Sequence, residues 1–339
     1  VTGVTTRIDT GLFADLLLTP STVTTTVAAA DGFDDVAALL TAPGVRRVVV
    51  TGNGAQWHVA LALWLAWMHV PAPPVELIAV PGGLVARGAF PWRDGDRLLA
   101  LSSSGEFRDV IEAIAAGAPR PIAAITANAG STIGKAAEAR AIVVVETLRA
   151  RTHTQGYAGS LAAGLAVIAR MSGDAGLATA AAGAGARLAP LVEHAAAMAT
   201  DPGPRPHAGV CVGTDPAWPA ALHTALCLRE VSILPVDGYE TREGATTGRF
   251  ATVPGDLAVS IAGVHPDPLL DEAEGILEEG GARVIAITGD ADADPRLAPI
   301  MALPHAIALA IDLAHMAGLD ADAPQWAGAY DKTSRGTGH

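Results

Sequence analysis

Ser102-Ser103-Ser104-Gly105-Glu106 lies between a strand-like run, Arg97 to Leu101, and a helix-like run, Phe107 to Ala116. Three hydroxyls and several amide N–H groups at the start of a helix can surround a phosphate or similar anion. The first turn leaves its donors unpaired, and the helix dipole puts its positive end there. The same residues also suit a polar strand-to-helix turn in which one serine is an N-cap. A second group with chemical potential, Glu230, ends the apolar helical stripe Ala221 to Leu228 and precedes the strand-like Val231 to Val236. Such a carboxylate either stays exposed, pairs with Arg229 or Arg242, or abstracts a proton beside a carbonyl with its pKa raised by partial burial. His153 falls in a polar stretch between Ile142–Val145 and the helical pattern from Ala158. It reads either as a functional loop residue held by a scaffold or as a surface histidine without a chemical role.

The elements that must position these residues come in two copies. Gly52-Asn53-Gly54-Ala55-Gln56-Trp57 matches Gly213-Thr214-Asp215-Pro216-Ala217-Trp218, Gly95-Asp96 matches Gly255-Asp256, and Ile125-Thr126 matches Ile287-Thr288, at offsets of 161, 160 and 162 residues. Self-similarity on this scale marks a duplicated domain. In the first copy, strands are expected at Val45–Val50, Val75–Val80, Arg97–Leu101, Pro121–Thr126 and Ile142–Val145. Helices are expected there at Gln56–Met68, Phe107–Ala116 and Ala158–Met171. In the second, strands are expected at Gly209–Val212, Leu257–Ala262, Arg283–Thr288 and Pro299–Ala302, with helices at Ala217–Arg229, Pro268–Gly280 and His305–Ala317. Short apolar strands alternating with helices imply a parallel sheet covered on both faces. The Ala/Gly-rich Gly173–Ala186, running into a helical pattern from Leu188, joins the halves. Where the first copy has its serines, the second has Ala262-Gly263-Val264-His265-Pro266, without hydroxyls, so one half is expected to hold the anion. In open α/β sheets ligands bind at the carboxyl ends of the strands, where Gly54 and Ser102 both fall.

Half of the 339 residues are apolar and 17% are charged, enough to bury two cores. The longest bulky apolar stretch, Val59–Met68, is ten residues, against the roughly 20 of a membrane span, so no membrane segment is expected. A net charge of −13 argues against nucleic acid. With only two lysines, Lys135 and Lys332, an anion would be held by backbone donors, hydroxyls and a few arginines, with Arg108, Arg242 and Arg249 as candidates. Two cysteines exclude a disulfide framework, and Cys211 reads as core. His58 and His223 lie on helical patterns and read as structural, while His305 caps or packs the last helix. No histidines combine with acidic residues at a metal-ligand spacing, so no metal and no cofactor are expected.

These segments together resemble the sugar isomerase (SIS) domain family, in particular the tandem-SIS isomerase half of glutamine:fructose-6-phosphate amidotransferase and its relatives. The likeness covers roughly residues 20 to 333. It rests on Thr51-Gly52-Asn53-Gly54, Leu101-Ser102-Ser103-Ser104-Gly105-Glu106, Ala225-Leu226-Cys227-Leu228-Arg229-Glu230-Val231-Ser232, and Leu303-Pro304-His305 with the final helix. The resemblance implies two tandem domains, each a mainly parallel five-stranded sheet in a flavodoxin-like α/β/α sandwich. It implies an N-terminal helical segment over 1–30, a first domain with the anion loop over 31–175, a second with the catalytic glutamate over 176–320, and a tail over the active site from 321 to 339. It further implies that the serine turn binds a sugar phosphate, that Glu230 moves a proton between C1 and C2, and that Lys332 of the tail reaches the sugar.

The chain departs from the family pattern at several positions. Phe107 replaces the threonine after Ser-Gly-Glu, Ala55-Gln56 replaces a Thr-Ser pair, and His153-Thr154-Gln155 stands where the family has Ser-Thr-Lys. Thr247-Gly248 replaces a His-Gly whose histidine opens the sugar ring. His153 is expected to take over ring opening or a contact to a sugar hydroxyl, and either His153 or Lys332 to assist ring opening or polarise the carbonyl. The expected site comprises Glu230, His153 and Lys332 as catalytic residues, with Gly54, Gln56, Ser102, Ser103, Ser104, Gly105, Thr154, Thr247 and Arg249 binding substrate. The expected function is an aldose/ketose isomerase for a phosphosugar or other anionic sugar, cytoplasmic, and a homodimer whose active site is shared between subunits. No glutaminase activity is expected of this chain. The alternatives are an amino-sugar-phosphate deaminase and a non-catalytic sugar-phosphate sensor.

Overall fold

In β1, Arg47–Thr51, and β4, Ile122–Thr126, every residue is buried. Val48-Val49-Val50 is the kind of unbroken β-branched run that a parallel strand covered on both faces requires. The computed structural model describes residues 6–197, 203–263, 266–324 and 328. The chain divides into two units: Ser21–Glu146 and Gln155–Gly185 belong to one, and the residues up to Pro20, Thr147–Thr154 and Ala186–Trp326 to the other.

The first unit holds β1, β2 (Glu76–Ala79), β3 (Asp96–Leu101), β4 and β5 (Ala139–Ile142), all parallel, in the order β2-β1-β3-β4-β5. The helix Ala55–Met68 is apolar nearly all round, as a helix enclosed on every side must be. It packs on the helix Gln155–Ser172, where Gly164 admits the Leu63 side chain: a Cβ there would lie 2.6 Å from the Leu63 methyls. On the other side of the sheet, Leu98, Ala100, Val110, Ile114 and Ile133 make a core against the helix Arg108–Gly117.

The second unit holds β6 (Gly209–Gly213), β7 (Val236–Glu240), β8 (Leu257–Ala262) and β9 (Arg283–Thr288), parallel and ordered β7-β6-β8-β9. That order repeats β2-β1-β3-β4, as the duplication requires. The glycine ending β1 and its counterpart repeat too: a Cβ on Gly52 would come 2.5 Å from the Gln56 carbonyl oxygen, and one on Gly213 2.7 Å from that of Ala217. In both copies the chain turns so sharply into its helix that only glycine fits.

Among the described residues the second sheet has four strands, not the expected five. The candidate strand Pro299–Ala302 is instead the helical turn Ala298–Met301, leading into the helix Leu303–Met316. Pro299 opens that turn, where a missing N–H costs nothing, and a short buried apolar run has no periodicity to separate strand from helix. The strand expected at Ile142–Val145 ends at Ile142, since β5 pairs Ala139 to Ile142 with Ala123 to Thr126. The expected joint between the halves is one continuous helix, Ala175–Ala197, with Pro190 inside it.

Among the described residues, two segments are long and apolar enough to cross a membrane by length and composition, Ala175–Ala197 and Pro295–Met316, and the bent pair Gly11–Leu17 and Thr19–Ala29 together makes a third. This corrects the expectation that no segment reaches that length: alanine supplies the hydropathy that bulky residues do not. In Pro295–Met316, 89% of the apolar window is buried inside the protein; in Ala175–Ala197, 33%.

Candidate functional site

The serine turn follows β3. Leu101 ends the strand, Ser102 N–H still bonds the Ile125 carbonyl at 3.1 Å, and the chain then turns back on itself: Gly105 N–H donates to Ser102 Oγ at 3.1 Å and to the Ser102 carbonyl at 3.2 Å. Gly105 has φ +71°, and a Cβ there would come 1.9 Å from Ser131 Oγ. Ser103 is pinned through its carbonyl, which accepts from Ala127 N–H at 3.0 Å and Thr126 Oγ1 at 3.3 Å. Ser102 and Ser103 are buried, while Ser104 is exposed and accepts from Glu106 N–H at 3.3 Å. Among the described residues, the N–H groups of Ser103 and Ser104 have no partner, and the helix Arg108–Gly117 begins just beyond them. This is an arrangement of donors around a sharp turn that suits an anion.

Two carboxylates near that turn are held by partners. Glu106 accepts from Thr132 N–H at 2.9 Å and from the Thr132 hydroxyl at 2.7 Å. Asp109, in the first turn of the helix, accepts from Asn53 Nδ2 at 2.5 Å and so ties the glycine loop to the serine turn within the same unit. Asn53 Oδ1 in turn accepts from Gly54 N–H at 2.6 Å, and Gly54 is exposed with φ +54°. Gln56 is buried and donates through Nε2 to the Gly156 carbonyl at 3.3 Å, leaving Oε1 without a partner. The Phe107 ring packs against the core under the sheet. Arg108 pairs with Glu112 on its own helix at 2.7 Å.

Glu230 sits in the other unit, two residues before the end of the helix Trp218–Ser232. The helix runs past the point where the sequence pattern ends it, so Glu230 is inside its last turn and partly buried. Burial pushes its carboxyl up to about 7 from the usual 4.5, against the smaller downward pull of the Thr152 side chain and of the Arg229 guanidinium. Thr152 belongs to Thr147–Thr154, which packs in the same unit as Glu230. Its significance was not visible in the sequence beyond its place beside His153 in a polar stretch. Asp15 fixes this segment: its carboxylate accepts from the N–H groups of Arg149 and Ala150, both 2.7 to 2.8 Å from Oδ2. His153 is partly buried, and burial pushes its imidazole below the usual 6.5, which keeps it neutral at pH 7. Thr154 is fully buried, and its hydroxyl has no partner.

On the same helix, Cys227 lies beside His223, with Sγ 3.6 Å from Nε2, and burial and Glu230 raise the Cys227 thiol well above its usual range. A thiol in that state is not a nucleophile. Cys211 is buried as expected. Thr247 is exposed, and its hydroxyl donates to Glu243 Oε1 at 2.8 Å. Arg249 packs against Gly280, the residue capping the helix Pro268–Glu279, where a Cβ would lie 2.8 Å from its Nε. The contacts of Thr247 and Arg249 are thus with Glu243 and Gly280. Lys332 lies outside the described residues. Among the described residues, no group of three or more His, Cys, Asp or Glu side chains is arranged to hold a metal ion.

No protein-family model matches the chain, and no curated protein matches it either. Solved structures do. The C-terminal domain of glucosamine-fructose-6-phosphate aminotransferase from Francisella tularensis matches with a TM-score of 0.76 at 15% identity, over 93% of this chain and 98% of that one. Tagatose-6-phosphate ketose/aldose isomerase from Escherichia coli matches at 0.73 and 17%, over 95% and 96%. Glucosamine-6-phosphate deaminase from Thermotoga maritima matches at 0.70 and 18%, over 91% and 97%. The chain has the fold of these proteins, with parallel sheets flanked by helices.

Proposed function

We propose that this chain is an aldose/ketose isomerase for a phosphosugar or another anionic sugar, with Glu230 as the base that moves a proton between C1 and C2. The observation that carries this reading is the Glu230 carboxyl, raised to about 7 by burial near the end of its helix. A base with a pKa near the working pH is half ionised and still strong enough to accept a proton from carbon, which is the balance that general base catalysis needs. Glu230 takes the C2 hydrogen of the aldose as a proton while the C1 oxygen gains one, giving an enediol. The C2 hydroxyl then gives up its proton as the proton on Glu230 passes to C1, giving the ketose. No atom is lost and no cofactor is consumed.

The serine turn takes the anionic group, through the N–H groups of Ser103 and Ser104 and the hydroxyl of Ser104, with Ser102 and Gly105 shaping it and Gly54 bordering it. Neutral His153 is suited to exchange the protons of ring opening, a duty that Thr247 cannot perform. Lys332 is assigned to polarising the carbonyl. Gln56, Thr154, Thr247 and Arg249 are assigned to the sugar hydroxyls. A homodimer with a shared active site completes the proposal, in keeping with the prevalence of closed two-fold assemblies. The fold likeness to the Escherichia coli ketose/aldose isomerase supports the isomerase reading. The comparable likeness to the Thermotoga maritima deaminase supports a second one, in which the same proton transfer expels ammonia from an amino-sugar phosphate.

The test is a panel of sugar phosphates and glucosamine 6-phosphate in deuterated water, followed by NMR and an ammonia assay. Deuterium entering at C1 or C2 without ammonia supports isomerisation, and ammonia release selects the deaminase. Binding without exchange or product overturns both in favour of a sensor.

A further inference from the structure

The two copies of the fold differ at one buried charge. In the first, Asp96 follows Gly95 (φ +83°) and its Oδ2 accepts from Arg93 N–H at 2.7 Å. In the second, Asp256 follows Gly255 (φ +93°) and its Oδ2 accepts from Val253 N–H at 3.0 Å. The turns are the same, and both aspartates are buried, at 1% and 4% exposure. Asp96 is gripped by Arg47, whose Nε and Nη2 donate to Oδ1 and Oδ2 at 3.0 and 2.6 Å, while the Phe90 ring covers that guanidinium at 5.3 Å.

Strand register identifies what replaces these partners. Val48 pairs with Arg97 in one sheet as Gly209 pairs with Leu257 in the other, so Ala208 stands where Arg47 does. Counting back from the aspartate, Phe250 stands where Phe90 does. The arginine is gone, but the buried aspartate and its turn remain. Asp256 Oδ1 is buried with no partner, and Phe250 is 88% exposed with no cation to cover. Beside Ala208 there is an open cleft of about 380 Å³, lined by Ala208, Gly209, Asp256, Tyr239 and Thr247 among others, with Arg229 and Asp237 paired at 3.3 Å.

A buried carboxylate oxygen without a donor costs free energy that a cation would return. Its duplicate shows which cation this turn accommodates. We propose that the cleft is a binding site for a guanidinium group supplied from outside the chain, with Asp256 Oδ1 accepting its N–H. The cleft borders Thr247, which the sugar chemistry proposed above also uses, but neither the serine turn nor Glu230 takes part.

The probe is methylguanidine at millimolar concentration, read by chemical-shift changes at the amides of Val253, Asp256 and Thr252, with methylammonium and urea as controls for charge and for hydrogen bonding. Saturable shifts with methylguanidine are expected, weakened at least roughly tenfold by Asp256→Asn. Ala208→Arg, which restores the internal guanidinium, is expected to raise Tm and abolish the shifts. If methylguanidine gives no saturation, if urea matches it, or if its shifts survive Ala208→Arg, the site is overturned. An acetylated arginine tripeptide amide that binds more tightly than methylguanidine assigns the group to a protein side chain, and equal affinity assigns it to a small molecule.

Discussion

Thr152 stands against Glu230 and opposes the effect of burial on its carboxyl, which nevertheless rises to about 7. The rate law of the proposed isomerase should carry that value. The base acts as the carboxylate, so kcat/KM should climb tenfold per pH unit below about 7 and level off above it. Thr152→Val removes a contact that favours the ionised form, so it should move the limb to higher pH. Thr152→Ser should leave it in place. A limb near 4.5 in the wild type would remove Glu230 from the base role. Glu230→Gln should lower kcat by 10²- to 10⁴-fold, the range for a positioned base, with little change in substrate Kd.

The same carboxyl links stability to pH. Its folded pKa lies above its unfolded one, so between 4.5 and about 7 the native state binds more protons than the unfolded state. Stability therefore falls as pH rises through that window and is flat beyond it. The full shift corresponds to a cost on the order of 3 kcal/mol at pH 8. Glu230→Gln should lift that cost. The Tm of the variant minus that of the wild type should grow between pH 4.5 and 7 and stay constant to pH 8.5. A difference that does not change with pH would mean that the carboxyl is not desolvated in the folded state.

Much of this was legible in the sequence because duplication wrote it twice. The pairs Gly52 and Gly213, and Asp96 and Asp256, mark equivalent turns whose φ values and close approaches repeat in the structure. Buried strands such as Val48–Val50 announce themselves by unbroken apolar runs. β7, Val236–Glu240, does not: it is an edge strand with only one residue buried, and Asp237, Gly238 and Glu240 break any apolar run. Pro299–Ala302 misleads for the opposite reason, being too apolar and too short to have a period. At the site, the serine turn is local and its residues are contiguous, so it can be read directly. The setting of Glu230 cannot, because Thr152 is far away in sequence and the pKa depends on how much water the fold excludes.

Ser102 and Ser104 should separate by experiment. Ser102 Oγ accepts from Gly105 N–H inside the turn, whereas Ser104 is exposed. Ser104→Ala should raise KM several-fold with Tm almost unchanged, because its hydroxyl faces outward to meet an anion. Ser102→Ala should raise KM and also lower Tm, by the equivalent of a stability loss of about 1 kcal/mol, one neutral hydrogen bond. Equal effects on Tm from both would contradict the division of labour.

Gly105→Ala tests the turn itself. The backbone there has φ +71°, which costs an L-residue about 1–2 kcal/mol, and the new methyl would overlap Ser131 Oγ. Ser131 cannot step aside cheaply, since its hydroxyl donates to the Asn128 carbonyl at 2.6 Å and accepts from Gly134 N–H at 3.0 Å. The urea midpoint should drop by the equivalent of at least about 2 kcal/mol. Part of that should return in Gly105→Ala/Ser131→Ala, which removes the clash and leaves the strain. A double variant no better than the sum of its singles would exclude the contact as the cause.

Parallel substitutions in the two copies should give opposite results. Arg47→Met strands Asp96 at 1% exposure with its bidentate partner gone, and breaking a buried pair by removing one member costs about 3–5 kcal/mol. Adding Asp96→Asn should recover most of that loss, because the stranded charge is then gone and the Arg93 N–H keeps its acceptor. Asp256 has no arginine to lose. Asp256→Asn deletes a buried charge that lacks a counter-ion, keeps an acceptor for Val253 N–H, and should leave the urea midpoint unchanged or raise it. A large loss on Asp256→Asn would reveal a cation already resident on that aspartate, and would remove the contrast between the two turns.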